Sequence, residues 1–114
     1  MITIYTDGSS KGNPGPGGWA TIIATESEVR ELGGRDEHTT NNRMELTACI
    51  RALEEVKDKK LGNVVEIMSD SSYVVRGITE WIFNWQKKGW RTAGKKPVEN
   101  KDLWERLYDA TQSL

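Results

Sequence analysis

Three carboxylates in this sequence stand where an acid serves chemistry better than solubility. Asp7 follows the alternating run Ile2 to Thr6, which has the period of a half-buried strand, and precedes the glycine-rich stretch "GSSKGNPGPGG". Asp70 closes a second strand-like run, Val64 to Ser69, which reads as buried on much of both faces. A short helix follows, with Asp70 or Ser71 as its cap. If the two strands are parallel neighbours, both aspartates emerge at one edge of the sheet, where α/β folds place their ligands.

The third acid, Glu45, lies in "TTNNRMELTACIRALEEVKDKK", where the period changes from two to that of a helix. Leu46, Cys49, Ile50, Leu53 and Val56 fall on one helical face, with Thr40 or Asn41 available as the N-cap. With Glu45 at zero and about 100° per residue, those apolar side chains span about 20° to 140°, so Glu45 sits at the margin of the buried face. Two readings follow. Glu45 is either an exposed first-turn acid complementing the helix dipole, or a carboxylate held at the rim of the core beside Ala48 and Cys49.

Three converging carboxylates repel one another and raise at least one pKa, so such a cluster persists mainly around a cation. An all-oxygen set, without histidine or thiolate, suits Mg²⁺ or Mn²⁺. The glycine stretch lacks the Gly-Lys-Ser/Thr ending of a P-loop and by itself reads as a wide hairpin turn.

The elements that must position these acids are few. Ile2 to Thr6 and Trp19 to Thr25 form a hairpin, with Val29 to Gly34 a weaker third strand. The closing segment "NKDLWERLYDATQSL" places Leu103, Trp104, Leu107, Ala110 and Leu114 at helical spacing, with Asn100 as cap. At 114 residues, 36% hydrophobic and 29% charged, the chain reads as one soluble domain, 1–114, around a modest core. No apolar run nears the roughly 20 residues of a membrane span, and Met1 leads straight into a strand-like pattern. The single cysteine, Cys49, forms no internal disulfide. Together these imply a cytoplasmic protein.

The net charge of −1 conceals an asymmetry. In "WIFNWQKKGWRTAGKKPV", residues 81–98, Lys87, Lys88, Arg91, Lys95 and Lys96 meet no acid, so the rest of the chain is markedly acidic. Trp81, Trp85 and Trp90 alternate with these cations, a combination that tracks a phosphate backbone and stacks on sugars or bases. The plainer alternative is core tryptophans beside a solvated lysine loop.

These residues, taken together, resemble ribonuclease HI. The likeness runs through Thr6-Asp7-Gly8-Ser9, the Gly-Asn-Pro-Gly-Pro-Gly-Gly stretch, Thr40-Asn41-Asn42-Arg43-Met44-Glu45, Ser69-Asp70-Ser71 and "GITEWIFNWQKKGWRTAGKKPVENKDLW", in register over essentially the whole chain. It implies an α/β fold with a mixed sheet of order 3-2-1-4, strands 1 to 3 antiparallel and strand 4 parallel to strand 1, flanked by helices. The implied activity is endonucleolytic hydrolysis of the RNA strand of RNA·DNA hybrids by two Mg²⁺ ions, leaving 5′-phosphate and 3′-hydroxyl ends. Asp7, Glu45 and Asp70 would be both catalytic and metal-binding. Ser10, Gly12, Asn13, Asn41, Asn42 and Ser72 would meet the RNA strand, whose 2′-hydroxyls lie in the wide minor groove. Thr40, Asn100, Tyr73, Trp81 and His38 would meet the DNA strand, and residues 81–98 would form the basic protrusion.

Three departures qualify the resemblance. His38 stands where many relatives have arginine, and Ala93 replaces a hydroxyl residue. Family members also continue past the position of Leu114 with a fifth strand and a last helix that carries a fourth carboxylate; Asp102 and Asp109 lie on a helix placed away from the site. The 64–69 strand is then expected to be covered by a symmetry mate, a swapped element or a separate polypeptide, because a bare apolar edge is a pairing template. A second functional class, a hybrid-binding or scaffolding module with little turnover, fits the same fold.

Overall fold

The computed structural model describes residues 1–112. Strands β1 (Ile2–Ser10), β2 (Gly15–Ala24) and β3 (Val29–Thr39) form an antiparallel meander, helix α1 (Asn41–Asp58) crosses back over the sheet, and β4 (Val65–Met68) lies parallel to β1. The sheet order is β3-β2-β1-β4, as the resemblance implies. A chain of short helices follows: α2 (Ser72–Arg76), a wider π turn over Gly77–Trp81, and α3 (Ile82–Lys87). Helix α4 (Lys101–Gln112) comes last. No helix among the described residues is long and apolar enough to cross a membrane.

The core forms where the apolar face of α1 meets one face of the sheet. Leu46, Cys49, Ile50, Leu53 and Val56, the residues that set the helical period, are all buried against Ile2, Ile4 and Ile23. Helix α4 closes the far side with Leu103, Trp104, Leu107 and Ala110. Leu114, the last member of that apolar set, lies outside the described residues. The remaining face of the sheet is open, with Tyr5, Ile22 and Met68, neighbours across three strands, all exposed.

Two expectations are corrected. The glycine stretch is mostly strand: β1 runs on past Asp7 to Ser10, and Gly15, Gly17 and Gly18 already belong to β2, leaving only residues 11–14 as the turn. Glycine weakens a strand on its own. Here cross-strand partners on both sides supply the backbone hydrogen bonds, and β3 likewise extends to Thr39, beyond Gly34. The second correction concerns β4, which is not buried on both faces. Val65 and Ile67 are half-buried while Glu66 and Met68 are exposed, because only β1 pairs with it among the described residues.

Tight packing around Trp104 generates a test. A Cβ built on the buried Gly77 would clash with the Cη2 edge of the Trp104 ring, so the π turn fits there only as glycine. Gly77→Ala is expected to lower stability by about 1–3 kcal/mol in urea unfolding. Gly94→Ala, where a Cβ has only Thr92 Oγ1 at 3.9 Å, is expected to leave stability unchanged or slightly raised.

Candidate active site

Register brings the two aspartates together. Tyr5 pairs with Met68 in the parallel ladder, and Asp7 and Asp70 each lie two residues further along, just past its end. They therefore emerge side by side at one edge of the sheet.

Glu45 joins them because α1 comes down unusually close to β1. Thr40 caps the helix, its hydroxyl accepting from the Arg43 N–H at 3.2 Å. The second turn of α1 rests on Gly8, where an added Cβ would stand 2.5 Å from the Met44 carbonyl carbon and 2.6 Å from the Glu45 nitrogen. No residue but glycine admits that approach. The Gly8 N–H then donates to Glu45 Oε1 at 3.2 Å, while Glu45 Oε2 is buried with no hydrogen-bond partner. Of the two readings of Glu45, the structure has the rim of the core. Its pKa is raised: burial is the main cause, the Gly8 N–H opposes it, and the negative charges of Asp7 and Asp70 push further upward.

Glu45 and Asp70 line an open hollow of about 340 Å³ together with Gly8, Ser9, Asn41, Asn42, Ser71, Ser72 and Tyr73. Among the described residues no group of three or more His, Cys, Asp or Glu side chains is placed to hold a metal ion by itself. What exists is one buried, unpartnered carboxylate oxygen that feels the negative charges of two more acids, all hard oxygen donors. That set fits a divalent cation such as Mg²⁺, which keeps several waters and completes its shell with substrate oxygens.

The other predicted contacts divide into two groups. Asn41 Oδ1 accepts from the Ser10 N–H at 2.6 Å and stands 3.1 Å from Ser10 Oγ, which also reaches the Gly12 carbonyl at 2.6 Å. Asn42 and Ser72 line the hollow, whereas Gly12 and Asn13 sit in the exposed turn beyond it. On the other side, Tyr73 packs edge-on against Trp81 at 5.8 Å and Trp104 at 5.4 Å, and Trp85 stacks on Trp81 at 5.6 Å. Tyr73, Trp81 and Trp85 line a second hollow, of about 210 Å³, with Thr92, Val98 and Glu99. Both readings of these tryptophans thus hold in part, since each is half-buried and also lines a surface hollow. Trp90 packs on Tyr108, while Lys87, Lys88, Arg91, Lys95 and Lys96 are exposed. His38 is exposed on β3 and is not joined to Thr40 or Asn100 by any hydrogen bond. Cys49 is buried and its thiol is pushed up to about 11 by burial, which keeps it inert.

Sequence reasoning missed a polar clamp. Arg43 holds Asp102 with two nitrogens, at 3.0 and 2.7 Å, and Nη1 also reaches Asn100 Oδ1 at 3.3 Å. The hydrogen bond from Arg43 holds the Asp102 carboxyl below the usual carboxylate range. The only available signals were an arginine beside the α1 cap and an acid in the first turn of α4. With the two 59 positions apart in the chain, no local pattern links them.

The raised pKa of Glu45 carries a sign that can be measured. A carboxyl whose pKa is higher in the folded state stabilises that state most below its unfolded pKa, and the contribution is lost as pH rises through the folded value. Glu45→Gln is therefore expected to be more stable than wild type near pH 7, with the difference closing toward about pH 4. Thermal unfolding of both proteins across that range reads the effect, and a difference independent of pH would contradict it.

Comparison with known proteins agrees with this geometry. The RNase H family model matches residues 1–114. Ribonuclease H of Thermosynechococcus vestitus is 55% identical over 105 residues, which cover 91% of this chain and 66% of that protein. Ribonuclease H of Nitrobacter hamburgensis is 55% identical over 111 residues, covering 97% and 72%. Among solved structures, LC9-RNase H1 superposes with a TM-score of 0.81 at 32% identity, over 96% of this chain and 56% of that one. LC11-RNase H1 in complex with RNA/DNA hybrid superposes at 0.75 with 31% identity, over 98% and 77%. The chain thus spans about two thirds of the length of the first of these curated relatives. With its acids in register and the family model matching from end to end, this chain belongs to the RNase H family.

Proposed function

We propose that this chain hydrolyses the RNA strand of RNA·DNA hybrids with the help of divalent cations. The observation that carries the reading is Glu45: a carboxylate pinned to Gly8, with its second oxygen buried and unpartnered, in the negative field of Asp7 and Asp70. A pure binding surface gains nothing from three acids that repel one another and also repel phosphate. The RNase H family depends on divalent metal ions in general, and the all-oxygen set here suits Mg²⁺, with Mn²⁺ an alternative. When bound, such ions lower the pKa of an attacking water and stabilise charge on the leaving 3′ oxygen.

The protein's own groups have separate tasks. Asp7, Glu45 and Asp70 would hold the cations at the sheet edge, and the bound charge would offset their repulsion of the scissile phosphate. Ser10, Asn41, Asn42 and Ser72, with the exposed turn at Gly12 and Asn13, offer short polar groups and bare main chain to 2′-hydroxyls, which only the RNA strand has. Thr40, Asn100 and the aromatic hollow of Tyr73 and Trp81 take the DNA strand, with His38 at its outer margin. The cations of residues 81–98 add attraction that weakens with salt. That LC11-RNase H1 has been captured with RNA/DNA hybrid supports the same substrate class here.

The direct test is cleavage of an end-labelled hybrid with Mg²⁺ at low salt. Asp7→Asn is expected to lower the rate at least about a hundredfold while binding is retained. Binding by wild type without cleavage would favour the hybrid-binding module instead. The open edge of β4 belongs to the same proposal: further polypeptide, a second copy or a separate chain, pairs along residues 64–69. Sedimentation velocity is expected to show mass above the 12.9 kDa of one chain as concentration rises, and a constant 12.9 kDa would overturn pairing between copies.

A further inference from the structure

The proposed division of tasks leaves Trp104 with none. It is a fully buried residue on α4, yet its single polar atom is not idle: Nε1–H donates to the Tyr73 hydroxyl oxygen at 3.0 Å. Asn100 Nδ2 donates to the same oxygen at 3.2 Å, and the Asn100 carboxamide is itself held by Arg43 Nη1 on its Oδ1. A phenol oxygen has two acceptor positions and one proton. With two N–H donors seated on it, the capacity left to the Tyr73 hydroxyl is its own O–H, and that proton has no acceptor among the described residues. Tyr73 is also the residue shared by the two hollows, the one holding the carboxylates and the one lined by Trp81 and Trp85.

From this arrangement we infer that Trp104 is a positioning residue that, together with the Asn100 carboxamide, fixes the Tyr73 hydroxyl as an outward-facing donor to a phosphate oxygen of bound nucleic acid. The inference rests on the function proposed above and adds to it a specific hydrogen bond and the groups that aim it. A phosphate is the acceptor that fits, because a hydroxyl donating to an anionic oxygen makes a charge-assisted bond, stronger than one to a neutral sugar oxygen. Such a contact reads no bases; it sets the position of the strand relative to the site. The ring geometry assists: Trp104 also meets Tyr73 and Trp85 edge-on, each at 5.4 Å, so the phenol has little freedom to turn away.

The test is affinity for a labelled RNA·DNA hybrid, measured by fluorescence anisotropy with EDTA present so that no turnover occurs. Tyr73→Phe keeps the ring and deletes the donor, and is expected to weaken binding about three- to tenfold. Trp104→Phe deletes the aiming N–H and is expected to weaken binding about threefold in the wild-type background and not at all in the Tyr73→Phe background. A purely structural role for Trp104 would weaken both backgrounds by the same factor, and that result overturns the inference. If Trp104→Phe does not fold, hybrids carrying one neutral methylphosphonate linkage decide the matter: at a single linkage the effect of Tyr73→Phe is expected to vanish, and its persistence at every linkage overturns the phosphate assignment. A wild-type chain that binds hybrid no better than Tyr73→Phe sinks this inference alone. Failure of wild type to bind hybrid at all sinks the proposed function beneath it as well.

Discussion

The contact on which the rest of the structure depends is the seating of α1 on β1 at Gly8. The missing side chain lets a helix backbone come within van der Waals reach of a strand backbone, and two consequences follow from one approach. The apolar stripe of α1 lands on Ile4 and Ile23, which makes the core. The Glu45 carboxylate is drawn into partial burial against the Gly8 N–H, which makes the site. Stability and chemistry share a cause here, and they pull in opposite directions. Packing favours the close approach, while the carboxylate it buries resists ionisation among like charges. A proton relieves that resistance, and a cation held as proposed would relieve it in the same way.

Much of this was legible in the sequence because the relevant signals are local. The alternation of Ile2 and Ile4, the helical period from Leu46 to Val56 and the acids that follow the two apolar runs each need only a few neighbouring residues to be read. Glu45 was placed at the margin of the buried face by angle alone, and the choice between an exposed first-turn acid and a carboxylate at the rim of the core was left to the structure. The errors came where non-local pairing overrides local preference. Gly15 to Gly18 carry the composition of a turn, but β1 and β3 on either side supply their hydrogen bonds and make them strand. The apolar run at β4 suggested burial on both faces, yet burial depends on what lies alongside, which no run of residues encodes.

Least legible were the polar links between α1, α2 and α4. Arg43, Asn100, Asp102, Tyr73 and Trp104 are scattered along the chain and form one connected set only in space. This set has a logic of its own. The basic and aromatic segment after Trp81 has little core to anchor it, and Trp104 supplies the anchor: it fills the space over Gly77, stacks on Tyr73 and Trp85, and spends its one N–H on Tyr73. Trp81 and Trp85 are accordingly half-committed, each half-buried and each also lining a surface hollow.

The alignment of Asp7 with Asp70 rests on a ladder only four residues long, Ile2 to Tyr5 against Val65 to Met68. Side chains alternate across a sheet, so a slip of one residue in that short ladder would send the two aspartates to opposite faces, and it would turn Val65 and Ile67 away from the core at the same time. Bulk measures of folding, such as helix content, would not notice. The pair of acids therefore reports on strand register: only molecules whose β4 has found the right partner residues bring Asp7 and Asp70 to the same place.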